Sequence, residues 1–241
     1  MPNPGTTFLV LVAGGTGSRF GADTPKQFLP IGGRPMILRA LDPFLAACPR
    51  LHVAVVVHPD WLDHWASLWS AEPGLSSTNS GVHQSLISVP GGATRTDSVR
   101  AGLWALAGEH GDRGELPMNA LAAVHDAARP FISVGLIQSL LTDAASHGSA
   151  VPVVPVVDSI RQLSGSAPGS TSTAIDRATL RAVQTPQCFP FNALLSAYTT
   201  LDASVEFSDD ATLYEAQVGP VHLSDGEASN LKVTRSEDLR D

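Results

Sequence analysis

Four stretches of the chain are apolar almost without interruption: TTFLVLVA (6–13), LHVAVVVH (51–58), LAAVHD (121–126) and AVPVVPVVD (150–158). Short continuous runs rich in valine and leucine predict strands buried on both faces. Between them, PMILRALDPFLAAC (35–48), RTDSVRAGLWALAG (95–108) and VGLIQSLLTDAASHG (134–148) space their apolar residues three and four apart, the period of a helix with one buried face. Strands alternating with helices predict an α/β fold, a mostly parallel sheet with helices on both faces. Right-handed crossovers make such a sheet doubly wound. Its ligands then sit at the carboxyl ends of the strands.

Two segments break the pattern. AEPGLSSTNSG (71–81) reads as a surface loop, and QLSGSAPGSTSTAID (162–176) as a turn between two short strands, an arm projecting from the sheet. No internal repeat or separating linker appears, so the expectation is one domain over 1–241.

Composition narrows the class. A chain of 241 residues with 43% hydrophobic and 16% charged residues has the material for a sizeable core. No apolar run approaches the roughly 18 residues of a membrane helix, and the N-terminus lacks the pattern of a signal peptide. The expectation is a cytoplasmic protein without membrane attachment. Cys48 and Cys188 fit no metal spacing and read as reduced, buried thiols. The net charge of −8 argues against a nucleic-acid partner but leaves room for a small phosphorylated ligand.

The candidate chemistry follows the strand ends. After the first strand comes AGGTGSRFGADTPKQF. Gly15 and Gly17 fit the start of a dinucleotide fingerprint, but its third glycine is Phe20 and no acidic residue closes a second strand roughly twenty positions on. Gly-Lys-Ser/Thr is absent, so it is no Walker loop. What remains is a glycine loop whose N–H groups can approach phosphate, followed by the donor fork of Arg19 and the point charge of Lys26. Pro25 stiffens the approach to Lys26. Of the 15 basic residues only Lys26 and Lys232 are lysines. Gly91 and Gly92 lead into a helix start carrying Arg95, Asp97 and Ser98, where an anion or a base edge could bind; Ser98 could equally cap the helix. In VHDAARPF, Asp126 faces the same crevice and is a candidate for Mg²⁺ beside polyphosphate oxygens, whereas His125 reads as a packing or orienting residue rather than a base. RAVQTPQCF, EFSDDATLYEA and ASNLKVTRSEDL add hydroxyls, amides, carboxylates and the second lysine; the DDA of 209–211 could simply begin a helix.

Taken in order, AGGTGSRFG…TPKQFLPIGGRP, GGATRTDSV, HDAARPF, QTPQCF, SDDA and NLKVT resemble the 2-C-methyl-D-erythritol 4-phosphate cytidylyltransferases, nearly end to end. The ribitol-5-phosphate cytidylyltransferases are similar too; HDAARP and SDDA tilt the resemblance to the first. It implies a nucleotidyltransferase fold with a Rossmann-like sheet. It also implies a homodimer in which a β-arm, 157–177, reaches over the partner's site. The reaction implied is transfer of CMP from CTP to methylerythritol 4-phosphate with Mg²⁺. By the family pattern, Arg19, Lys26 and Lys232 act on the phosphates. Ala13, Gly14, Gly15, Gly17, Gly91, Gly92, Arg95 and Ser98 bind CTP, the last four around the cytidine. Asp126 contacts the metal, and Arg129, Asp158, Ser159, Arg177, Thr185 and Ser208 serve the acceptor. Ala93 stands where the family often has an acidic residue, and Ser159 and Ser208 where threonine is familiar. A catalytically silent nucleotide-binding protein is the rival from another class.

Overall fold

The computed structural model describes residues 5–15, 24–72, 85–111, 116–165, 170–202 and 205–238. In chain order its elements are β1 (Thr7–Ala13), a small hairpin of β2 (Pro30–Ile31) and β3 (Arg34–Pro35), α1 (Met36–Ala47), β4 (Leu51–Val57), α2 (Leu62–Ser70), β5 (Ser85–Pro90), α3 (Arg95–Gly111), β6 (Leu121–Asp126) and α4 (Val134–His147). There follow β7 (Val151–Pro155), β8 (Ile160–Leu163), β9 (Ser172–Ile175), β10 (Arg181–Val183), β11 (Gln187–Pro190), α5 (Phe191–Thr200), α6 (Asp210–Gln217) and β12 (Leu223–Asp225).

The central sheet has the order β11-β6-β1-β4-β5. Its four strands from β6 to β5 run parallel, and β11 closes the edge antiparallel to β6. The chain builds outward from β1 through β4 to β5, then crosses back along α3 to lay β6 on the other side of β1. The gap between β1 and β6 is therefore the point where the strand order reverses, the usual ligand crevice of an open α/β sheet.

The continuous apolar runs are explained by burial on both faces. Leu9 and Leu11 of β1, with Val53, Val55 and Val57 of β4, pack under α1, α2 and α4. Phe8 and Val10, with Ala54 and Val56, pack on the other face under α3, α5 and α6. Each Val, Leu or Phe fully withdrawn from water contributes about 1.5–3 kcal/mol, so both faces hold the same strand in place. The predicted helix at 134–148 has conventional signals at each end. Ser133 accepts from the Leu136 N–H, and Gly148, at φ 80°, terminates the helix in the left-handed region that a side chain disfavours.

One strand differs from expectation. The run 150–158 does not extend the main sheet. Its core, β7, lies in a separate three-stranded sheet of order β10-β7-β12, joined to the main one by a bridge between Ala150 and Cys188. Pro152 and Pro155 have no N–H to donate, and the ladders on either side of β7 are three residues long. The segment expected as an arm contains the antiparallel pair β8–β9, with Ile160 opposite Ile175. Residues 73–84, most of the expected surface loop, lie outside the described residues. Cys48 and Cys188 are buried and form no disulfide; burial pushes the Cys48 thiol up to about 11. Among the described residues no helix is long and apolar enough to cross a membrane.

Candidate active site

The register fixes where the strand ends meet. Ala13 pairs with Val57, Val57 with Pro90, and Val12 with Asp126. The loops that follow β1, β4, β5 and β6 consequently share one edge, and there a cleft of about 480 Å³ opens. Ala13, Gly14, Gly15, Lys26, Gly92, Arg95, Ser98, Asp126 and Lys232 all line it. A second, smaller cleft of about 180 Å³ adjoins it, lined by Arg129, Thr185 and Ser208 among others. The two share Arg95, Asp126 and Lys232.

Two side chains shape the larger cleft. Gln27 is buried and donates through Nε2 to the carbonyls of Ala13 at 2.7 Å and Gly15 at 2.9 Å. With those carbonyls engaged, residues 13–15 are held at the end of β1, and a Cβ on Gly15 would meet nothing within 4 Å. Ser98 has a comparable task on the opposite wall. Its hydroxyl accepts from Gly92 N at 3.1 Å and donates to Thr94 O at 2.9 Å. Ser98 thus ties the turn ahead of α3 together while lining the cleft. Gly92 is required by the protein itself, because a Cβ there would lie 2.3 Å from the Asp97 Cβ.

The two lysines converge from opposite ends of the chain. Lys26 Nζ donates to Val233 O at 2.6 Å, and Lys232 Nζ pairs with Asp126 Oδ2 at 2.6 Å. The segment carrying Lys232 is anchored next to it. Val233 N donates to Ala128 O at 2.8 Å, and the fully buried Asn230 donates through Nδ2 to Thr185 O at 2.9 Å.

Arg95, expected around the cytidine, lines both clefts. It starts α3 in the larger cleft, but its guanidinium turns to the shared boundary. There it donates to Asp210 Oδ2 at 2.8 Å and to Asp126 Oδ1 at 3.3 Å. The reason is charge: two carboxylates, buried or nearly so, lie within its reach. Burial alone would lower the Arg95 pKa, but Asp210 and then Asp126 more than reverse it, so the net shift is upward. Likewise burial would raise Asp126, yet Arg95 and Lys232 hold its carboxyl well below the usual carboxylate range.

His125, expected to pack or to orient, does both. It is wholly buried, with Nε2 3.2 Å from Arg129 O and Nδ1 3.1 Å from Thr185 Oγ1. A carbonyl can only accept, so the proton sits on Nε2 and Nδ1 accepts from the threonine hydroxyl. Burial pushes its pKa down to about 4. Thr185 Oγ1 also accepts from Asp126 N at 3.1 Å. The hydroxyl therefore fixes the backbone at Asp126. Arg129 donates to Asn230 O at 2.8 Å and Val183 O at 3.3 Å and forms a wall of the smaller cleft. Ser208 lies exposed on its rim.

Asp158, Ser159 and Arg177 are not brought to either cleft. They sit exposed at the base of the β8–β9 arm, where Arg177 donates to the Val157 carbonyl. Gly17 and Arg19 lie outside the described residues. The sequence reading missed four residues: Gln27, His58, Asn230 and Asp210. His58 lines the larger cleft and accepts from Asp60 N at 3.3 Å through Nδ1. Of the four, only Asp210 left a trace in the sequence. Asp209 accepts from Thr212 N at 2.9 Å and caps α6 by itself, so the adjacent second carboxylate is surplus to capping.

A metal would find a sparse donor set. Among the described residues no group of three or more His, Cys, Asp or Glu is arranged to hold an ion. Mg²⁺ beside a polyphosphate takes one or two carboxylates and fills its remaining positions with phosphate oxygens and water. Asp126, ionised and lining both clefts, fits that mode.

The family model for 2-C-methyl-D-erythritol 4-phosphate cytidylyltransferase matches residues 7–241. The chain is similar to a bifunctional enzyme IspD/IspF of Rhodopseudomonas palustris strain BisB5. The two are 39% identical over 241 residues, which is 99% of this chain and 55% of that protein. The corresponding protein of Bradyrhizobium diazoefficiens is 41% identical over 97% of this chain and 54% of its own length. The chain thus spans about half the length of these curated relatives. Among solved structures it is similar to the 2-C-methyl-D-erythritol 4-phosphate cytidylyltransferase of Thermus thermophilus. That structure has 34% identity and a TM-score of 0.68, covering 97% of this chain and 95% of that one.

Proposed function

This chain belongs to the 2-C-methyl-D-erythritol 4-phosphate cytidylyltransferase family, and on that premise we propose that it transfers CMP from CTP to methylerythritol 4-phosphate and releases pyrophosphate. One observation carries the reading: two clefts of unequal size meet at Arg95, Asp126 and Lys232. The larger one takes CTP against the glycine loop and the turn of Gly91 and Gly92. The smaller one takes the acceptor beside Arg129, Thr185 and Ser208. The α-phosphate then lies at their boundary.

A phosphate oxygen of the acceptor attacks the α-phosphorus. The new P–O bond forms as the bond to the β-phosphate bridging oxygen breaks, and that oxygen leaves with pyrophosphate. The acceptor phosphate is already ionised, so no base is required. His125, neutral and enclosed, is left to orient Thr185. The work of the residues is positioning and charge stabilisation. Lys26 and Lys232 meet the growing negative charge. Arg19 joins them on sequence grounds. Asp126 would hold a divalent cation, read as Mg²⁺, which when bound supplies charge neutralisation to the phosphate oxygens.

The chain works as one domain, as a homodimer in the cytoplasm, without a nucleic-acid or membrane partner. The arm of 157–177 serves the partner's acceptor site through Asp158, Ser159 and Arg177. The exposure of Val157 (77%) and Leu163 (64%) on that arm supports a covering surface.

The test is pyrophosphate release from CTP and Mg²⁺, with methylerythritol 4-phosphate or ribitol 5-phosphate as acceptor. Release with the first alone is expected. Release with the second alone would overturn the acceptor, and silence with both would overturn the transfer.

A further inference from the structure

Asp210 is fully buried at the start of α6 and is not needed to cap it, since Asp209 does so. A buried carboxylate is costly unless paired, and its pairs show its task. One oxygen accepts from Arg95 Nη2 at 2.8 Å and the other from the hydroxyl of Tyr198, itself 1% exposed. Arg95 Nε reaches Asp126, whose second oxygen takes Lys232. Four charges therefore alternate in a row, Asp210, Arg95, Asp126, Lys232, from the core to the boundary of the two clefts.

The two cations on Asp126 are not equivalent. Arg95 is shared between two carboxylates, and its side chain is 25% exposed. Lys232 pairs with Asp126 alone among the described carboxylates, and its side chain is 45% exposed. If Lys232 leaves, water and an incoming anion solvate it, and Asp126 still has Arg95. If Arg95 left, the buried Asp210 would lose its counter-charge. We infer that Asp210 is a positioning residue: by pinning Arg95 against Asp126, it makes Lys232 the cation free to pass from Asp126 to the nucleotide phosphates. This rests on the cytidylyltransferase reading only in that a polyphosphate enters the larger cleft.

The chain has two lysines, so protein labelled with ¹³C,¹⁵N-lysine gives two side-chain ammonium signals, told apart by Lys232→Arg. Adding CTP, or pyrophosphate alone, is expected to shift the Lys232 signal in the wild type and to shift it far less in Asp210→Asn. In turnover, Asp210→Asn is expected to lower kcat about 10-fold or more. Combined with Arg95→Gln it should do no further harm, because both changes break one unit. An equal CTP shift in wild type and Asp210→Asn, no shift in the wild type, or multiplying losses in the double variant would each overturn the inference. Should Asp210→Asn not fold, Tyr198→Phe removes one of the two groups holding the same carboxylate. It is expected to reduce the Lys232 shift in part, and an unchanged shift would again overturn the inference. A wild-type protein whose Lys232 signal responds to CTP but which releases no pyrophosphate would sink the acceptor reading and leave this one standing.

Discussion

The ammonium of Lys26 donates to the carbonyl of Val233 at 2.6 Å, across 207 positions of chain. That contact sets the side chains of the two lysines beside one cleft, since Lys232 immediately precedes the accepting carbonyl. Lys26 thus joins the loop after β1 to the C-terminal segment as well as presenting a charge. Lys26→Ala should lower kcat by about 10²–10³, the scale of a lost donor to transition-state charge. Steady-state kinetics with CTP varied would show it, and unchanged kcat and KM would remove Lys26 from the chemistry.

Gln27 holds residues 13–15, where the glycine loop begins, by the two carbonyls it satisfies. Gln27→Ala leaves both without that donor and should cost about 1–3 kcal/mol of stability, with a raised KM for CTP. Denaturant unfolding and CTP titration measure the two effects. A stability loss with CTP binding intact would restrict Gln27 to folding.

Arg177 lines neither cleft, and on the homodimer proposed above its part in the reaction comes through the arm's reach to a partner. Arg177→Ala should raise the KM for the acceptor and spare that for CTP. If CTP binding weakened instead, the arm would be wrongly placed over the acceptor.

His125 gives the fold a pH dependence of known sign. Its folded pKa, about 4, lies below the ordinary 6.5 because burial disfavours the charged ring. Between those values the unfolded chain binds more protons, so stability rises with pH there. The contribution is complete above about pH 6.5, is lost as pH falls toward about 4, and amounts to something on the order of 3 kcal/mol. Urea unfolding of ligand-free protein across that window should show a steeper slope for the wild type than for His125→Asn. Equal slopes would mean that His125 is not the group responsible.

The local signals in the sequence were strong where each residue's partners are generic. Continuous apolar runs required strands covered on both faces, and the spacing at 35–48, 95–108 and 134–148 required helices. A glycine loop followed by Lys26, and Asp126 at a strand end, marked the crevice, because α/β sheets bind at their carboxyl ends whatever the chemistry. The tertiary structure decided what depends on particular distant partners. It sent the proline-bearing β7 to a second sheet, where few N–H groups are needed. It also set Arg95 against Asp126 and Asp210, 31 and 115 positions away. Asp210 read as one more helix-starting carboxylate until folding buried it beside Tyr198. A charge takes its role from the opposite charge it meets on burial, and the sequence does not show which charges will meet.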